Sequence, residues 1–352
     1  MSDFGPAKGF EDLWRPVARP KQVADRGVLP HGNGGESPRA RLARVAARVP
    51  EVMVKITGKT RDAGHLKAHL EYISRDGALP LEGRDGERLT SLSEIHEVGA
   101  DWAADDLRKR EDASLSVSII LSMPAGTSPI RMRDAARAFA EETFGEQHDY
   151  VFALHTDVDH PHVHLSVRPL GDDGRRLNPR KADLEQWRQT FARALRARGV
   201  EAEATPRRSR GIVRKAEAMP VRKQRERYEA GAGTPPRVVH AAYREAAAIA
   251  RGEVKVERPW EGPIRQRQKA VRTTYLETAQ ALARSGAPED QSLAKQVRSF
   301  VAAMPAVATR RNELVRAISA AVAERDKVGR ETGEDDRERP SGGPDRDGRR
   351  RR

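Results

Sequence analysis

The chain has 352 residues, 33% of them charged, 37% hydrophobic and only 5% aromatic, with 65 Lys plus Arg against 52 Asp plus Glu. That balance speaks against one compact body throughout, predicts two domains, and suits a polyanionic partner for a net charge of +13. The lack of cysteine excludes disulfides and thiolate metal ligands. No apolar run approaches the ~20 residues that span a bilayer, and the polar start MSDFGPAKGF does not read as a signal peptide, so no membrane insertion is expected.

Residues 1–50 are expected to be a basic, disordered arm rich in Pro, Gly and Arg, with HGNGG at His31 to Gly35 as a flexible break. RARLARVAARV, which follows, suits a short helix on DNA or a solvated lead-in, and the second is preferred. Order is predicted from Val52, where VMVKIT alternates Val52, Val54 and Ile56 on one face of a strand. A helix follows from His65 to Ser74, with Leu66, Leu70 and Ile73 as its core stripe and Tyr72 on the neighbouring flank. Residues 78–90 read as a polar loop, and a helix is predicted over about 93–108. SLSVSIILSM is the clearest strand, with mostly serines opposite its aliphatic face. Ser128-Pro129 opens a helix through about Phe144. A further helix over about Ala182 to Arg198 carries Leu184, Trp187, Phe191 and Leu195 at core spacing, and Val200 to Ala204 is read as a last strand.

Between these last elements lies VFALHTDVDHPHVHLSVR, holding four of the ten histidines. Val163, Leu165 and Val167 alternate with His162 and His164, so a strand sends both imidazoles to one face. Thr156 to Pro161 is turn chemistry, and an antiparallel hairpin brings His155 across to that face. Three neutral imidazoles at one point make an open site for a divalent metal, able to polarise a phosphate oxygen. Asp157 and Asp159 are candidates to orient the ring N–H groups, and His160 is expected to face solvent.

The expected architecture is α+β: an antiparallel sheet of about five strands with flanking helices, all on one face, over residues 51–212. An extended α-helical region follows over 213–325, with segments near 237–251, 264–285, 290–303 and 308–325. A disordered charged tail completes the chain over 326–352.

HTDVDHPHVHLSV resembles the three-histidine motif of the HUH relaxases, the plasmid mobilization nucleases, and particularly the branch that includes the T-DNA border endonuclease. HLEYISRDG resembles that branch's nucleophile motif, and SIILSMPAGT and LNPRKADLEQWRQTFARAL through RRSRG are similar to it as well. The resemblance covers about Val52 to Gly211. It implies the HUH relaxase fold, and metal-dependent, site- and strand-specific nicking of single-stranded DNA at an origin of transfer. Tyr72 would be the nucleophile, His155, His162 and His164 the ligands of Mg²⁺ or Mn²⁺, and Asp157 the candidate proton acceptor. Arg75, Arg168, Arg180, Lys181, Arg207, Arg208 and Arg210 are assigned to DNA contact, with Arg214, Lys215 and Arg222 to Arg227 as further cationic segments. About fifty residues precede the first strand, where the border endonuclease pattern has it near the N-terminus. The motif holds one tyrosine (EYI, not YY), so a second strand transfer needs a second subunit or the regenerated enzyme.

The resemblance also implies relaxosome accessory proteins as partners and a bacterial, cytoplasmic protein exported with DNA by type IV secretion. Arg349 to Arg352 is similar to the arginine-rich tails that dock relaxases to a type IV secretion coupling protein. The competing readings are a rolling-circle replication initiator or transposase on the same core, and a three-histidine metallohydrolase or DNA-binding protein that forms no covalent link.

Overall fold

A computed structural model describes residues 37–106, 113–213, 217–254 and 258–335. The expectations for residues 1–36 and 336–352, and for Leu107, Arg108, Arg214 and Lys215, lie outside the described residues. The chain divides into two units, one running to Arg210 and including Thr273–Met304, the other formed by Gly211–Arg272 and the residues from Pro305 onward.

The first unit is built on an antiparallel sheet of six strands in the order β1-β4-β6-β5-β2-β3. These are β1 (Met53–Thr60), β2 (Leu81–Gly83), β3 (Arg88–Leu89), β4 (Ser116–Ser122), β5 (Tyr150–His155) and β6 (His162–Val167). The 78–90 stretch is a short hairpin that adds two unexpected strands, and its turn uses Gly86 at φ 81°; with the expected strand at Val200 to Ala204 absent, the sheet has one more than expected. Two- and three-residue strands are too short to show alternation, so this stretch looks like a loop in sequence. Val200 to Ala204 is not a sheet strand; it makes a single parallel bridge, Glu51 to Glu203.

Helices cover both faces of the sheet, not one. Val117, Ile119, Leu121, Phe152, Val163 and Leu165 face α4 (Pro129–Phe144) and α5 (Lys181–Arg196), whose Phe139, Phe144, Trp187 and Phe191 complete that core. On the other face, Val151 and Ala153 pack with α2 (Ala63–Ser74) and α3 (Leu92–Ala104) through Leu66, Leu70, Ile73, Ile95 and Trp102. The second layer was hidden because that face of β4 and β6 carries serines and histidines, which read as solvent-facing. Ser116, Ser118 and Ser166 are in fact buried.

The end of the presumed arm is structural. RARLARVAARV forms α1 (Pro38–Ala46), burying Leu42 and Val45. Arg44 Nε donates to Glu203 at 2.9 Å and Arg39 Nε to Asp290 at 2.8 Å. Asp290 belongs to α9 (Pro288–Ala302), so part of the helical region packs within the sheet unit rather than following it. The rest of that region comprises α6 (Met219–Glu229), α7 (Arg237–Ala250), α8 (Glu261–Arg284, shared between the units) and α10 (Arg310–Asp335). α10 runs past residue 326, where a disordered tail was expected. Within the second unit, Glu261 is buried and accepts from Arg311 Nη2 at 2.8 Å and Thr309 Oγ1 at 3.0 Å.

Candidate active site

The β5–β6 hairpin pairs His155 with His162 and Ala153 with His164, which places all three imidazoles on the α2 side of the sheet. Their ring centroids are 4.5 Å (His155–His164), 5.1 Å (His162–His164) and 5.3 Å (His155–His162) apart. One nitrogen from each lies within 4.8 Å of the others. His155 and His164 are buried, and His162 is half-buried at the mouth.

Burial favours the neutral form of two of the rings, His155 and His164. His155 Nε2 donates to the Ile73 carbonyl at 2.7 Å, leaving the Nδ1 lone pair turned toward Arg75 Nη2 at 3.2 Å. Burial pushes His164 down to about 3, helped by the charges of His155 and His162. Burial also lowers His155, against the pull of its bond to Ile73. His162 Nδ1 lies 3.2 Å from the His160 carbonyl. One nitrogen each of His155 and His162 thus faces a backbone carbonyl, whereas Asp157, expected as an orienting acceptor, pairs with Arg75. His160 is exposed, as expected.

α2 is positioned by both ends and by its buried stripe. Asp62 caps it, accepting from the His65 amide at 2.9 Å. Arg75 ends it in the left-handed region at φ 53°, followed by Asp76 at φ 55° and Gly77 at φ 85°. His69 Nε2 and Ser118 Oγ, 2.9 Å apart, tie the middle of α2 to β4. With Leu66, Leu70 and Ile73 buried, Tyr72 is left 54% exposed, and its ring lies over the histidines. The ring centroid is 5.6 Å from that of His164, edge-on, and 6.4 Å from that of His155. The Arg75 guanidinium carbon is 5.5 Å from the tyrosine ring centre. Asp157, on the exposed hairpin turn, has its carboxyl held below the usual range: the cost of its desolvation is outweighed by its backbone N–H and the charge of Arg75 together.

The structure therefore brings Tyr72, Arg75, His155, Asp157, His162 and His164 together. Other cations assigned to DNA are engaged elsewhere. Arg168, beyond the far end of β6, pairs with Asp149 at 3.0 Å and Asp105 at 3.3 Å, and its side chain is only 13% exposed. Arg210 pairs with Glu51 at 3.2 Å. Arg180 and Lys181 are exposed at the start of α5; Arg207 is exposed and Arg208 half-buried in a short 3₁₀ turn, Arg207–Arg210. The sequence sets His69 on the Tyr72 flank of the helix, but its contact with Ser118 was not foreseen, although the serine alternation in SLSVSIILSM marked a polar face.

Residues 82–200 match the family model "Relaxase: MobA/VirD2-like, nuclease domain", a segment that holds the three histidines and begins ten residues after Tyr72. The chain thus resembles the MobA/VirD2-like relaxases. T-DNA border endonuclease VirD2 of Agrobacterium fabrum (strain C58 / ATCC 33970) is 31% identical over 188 residues, covering 46% of this chain and 41% of that protein. Its namesake from Rhizobium rhizogenes is 31% identical over 187 residues, covering 46% and 42%. The 43 kDa relaxation protein of Salmonella typhimurium is 24% identical over 133 residues, covering 34% and 36%. This chain spans less than half the length of these curated relatives. A chain of the solved structure "Molecular Basis of Vancomycin Resistance Transfer in Staphylococcus aureus" aligns at a TM-score of 0.32 and 15% identity. The alignment covers 45% of this chain and 98% of that one, a likeness too slight to bear on the fold. Among the described residues no helix is long and apolar enough to cross a membrane.

Proposed function

We propose that this chain is a DNA relaxase, which nicks single-stranded DNA at an origin of transfer through covalent attack by Tyr72. The observation that carries this is the tyrosine ring seated 5.6 Å from His164, over three converging imidazoles. A phenol with an ordinary pKa near 10 is a poor nucleophile at pH 7, so a site using one must stabilise the charge that develops on phosphorus. His155, His162 and His164 suit a divalent ion such as Mn²⁺ or Mg²⁺: three imidazoles converge, and burial keeps two of them, His155 and His164, unprotonated. Such an ion supplies Lewis-acid neutralisation of the non-bridging phosphate oxygens.

The chain's own residues do the rest. The Tyr72 oxygen bonds to phosphorus as the bond from phosphorus to the 3′ oxygen breaks, leaving a 5′-phosphotyrosyl link and a free 3′-OH. One ester replaces another, so the 3′-OH of an incoming strand can reverse the step and rejoin DNA. Arg75, with its guanidinium between His155, Asp157 and the tyrosine ring, adds positive charge beside the reacting phosphate. Asp157 holds that guanidinium in place; the pairing that lowers its carboxyl weakens it as a proton acceptor. The phenolic proton has an open path to water, since Tyr72 is 54% exposed. Relaxosome accessory proteins and a type IV secretion coupling protein are the partners this reading implies.

Incubation with a labelled single-stranded library and Mn²⁺, followed by sequencing of DNA that stays attached under denaturing conditions, tests the proposal. One attached sequence is expected. Tyr72→Phe should lose the adduct and keep DNA affinity, and a chelator or His162→Ala with His164→Ala should also abolish it. Cleavage that persists in Tyr72→Phe would mark a water-using hydrolase instead.

A further inference from the structure

The register across the sheet extends the site beyond the histidines. One row of paired residues runs Met53–Ser122–His162–His155, and the next runs Lys55–Ile120–His164–Ala153. Directly paired residues in antiparallel strands share a face, so Met53 and Lys55 stand on the histidine side of the sheet. Strands lie about 4.8 Å apart, which sets these two residues about 10 Å from His162 and His164, across β4 from them. They are on edge strand β1, on the flank away from His155.

Burial breaks down here in a particular way. β4 is buried along its length except at Ile120, and Met53 is 48% exposed although Val54 beside it is buried. The Lys55 side chain is exposed and makes no ion pair or hydrogen bond with the described residues. By contrast Arg75, Arg168 and Arg210 are each paired with a carboxylate. A lysine on an edge strand can serve simply to discourage strand pairing. That role asks nothing of a bare methionine one row away or of a half-open isoleucine paired with the lysine on β4.

Resting on the relaxase reading above, we propose that Met53 and Ile120 seat a nucleobase of the single strand close to the cleaved phosphate, and that Lys55 holds a backbone phosphate of that nucleotide. A thioether and a branched alkyl group offer a flat, polarizable, uncharged surface that fits the face of an unstacked base. An uncommitted ammonium two residues along the same strand fits the phosphate attached to it. The seat lies within one or two nucleotides of the phosphate at the histidines, so it helps set which bond Tyr72 reaches.

The test uses the full chain and the oligonucleotide recovered as the covalent adduct, together with random-sequence 20-mers. Lys55→Ala should weaken binding to both, and should reduce the slope of log affinity against log salt by about 0.7, the share of one phosphate on a single strand. Met53→Ala should weaken the recovered oligonucleotide roughly three- to tenfold, in line with sulfur–aromatic contacts. Abasic substitution, moved one nucleotide at a time along the oligonucleotide, should find one position near the nick that costs the wild type this factor and costs Met53→Ala nothing. Both side chains are exposed, so unchanged unfolding temperatures are expected. A wild-type salt slope in Lys55→Ala, or abasic costs that are the same in Met53→Ala at every position, overturns the seat while the adduct itself still forms. A wild type that forms no adduct with any strand overturns the relaxase reading and the seat with it.

Discussion

Gly99 in α3 tests whether the packing of two helices governs the position of Tyr72. A Cβ built at Gly99 lies 3.2 Å from Leu70 Cδ1 and 3.9 Å from Leu66 Cγ. Leu70 is wholly buried in α2, two residues before the tyrosine. Gly99→Ala gains about 1 kcal/mol of helix propensity and asks a leucine methyl to yield a few tenths of an ångström, so a net gain of 0 to about 1 kcal/mol is expected. Gly99→Leu places three further heavy atoms where the two helices already touch; overpacking costs about 1–3 kcal/mol. Less the same propensity gain, the loss is up to about 2 kcal/mol, or up to ~8 °C in Tm for a unit of this size. α2 has to shift to admit the side chain, and misplacement of a nucleophile by about 1 Å costs on the order of 100-fold. The histidines sit on β5 and β6 and should keep their place. Thermal unfolding, Mn²⁺ binding and the single-turnover rate of adduct formation separate these effects. Gly99→Leu should bind Mn²⁺ normally and react 10- to 100-fold more slowly, by that same misplacement argument, with Gly99→Ala near the wild-type rate. A wild-type rate in Gly99→Leu, with the expected loss of Tm, would refute the idea that this contact sets the nucleophile.

Three further outcomes are expected. Arg75→Gly removes a left-handed penalty of about 1 kcal/mol and an exposed ion pair worth about 0–1 kcal/mol, so unfolding should barely change while adduct formation falls; a denaturant titration with the rate assay checks both. Leu42→Ala should destabilise the sheet unit by about 2–4 kcal/mol, measured by calorimetry, because α1 is part of its core; a change within ~0.5 kcal/mol would mean the helix is peripheral. Burial raises the Glu51 carboxyl above its usual value despite Arg210 and Thr205, so its contribution is greatest below about pH 4.5 and declines as pH rises through the raised value. The stability of the wild type relative to Glu51→Gln should therefore fall from pH 4 toward pH 7, and a rise over that range would contradict the assignment.

Local patterns carried some of this molecule and hid the rest. The hairpin that gathers His155, His162 and His164 was legible because a period of two is a backbone property: once His162 and His164 alternate with Val163 and Leu165, their shared face follows. The stripe of Leu66, Leu70 and Ile73 likewise left Tyr72 on the open flank of α2. By contrast, the 78–90 hairpin, the helices on both sheet faces and the burial of Leu42 depend on partners far away in the chain. Ser118 looks like a solvent residue until His69 is seen 2.9 Å from it.

What the amino-acid order determined alone was the longer helices and strands and the side on which their chemical groups emerge, since dihedral preferences and short periodicities act over a few residues. Only the tertiary structure decided which groups are free to act. Arg168 and Arg210 meet carboxylates from distant segments, Asp157 meets Arg75, and the Lys55 side chain, in the row of His164, has no ion-pair partner among the described residues. Such pairings are settled by distance in space, and positions from distant parts of the chain become neighbours only when the sheet has closed and its helices have packed.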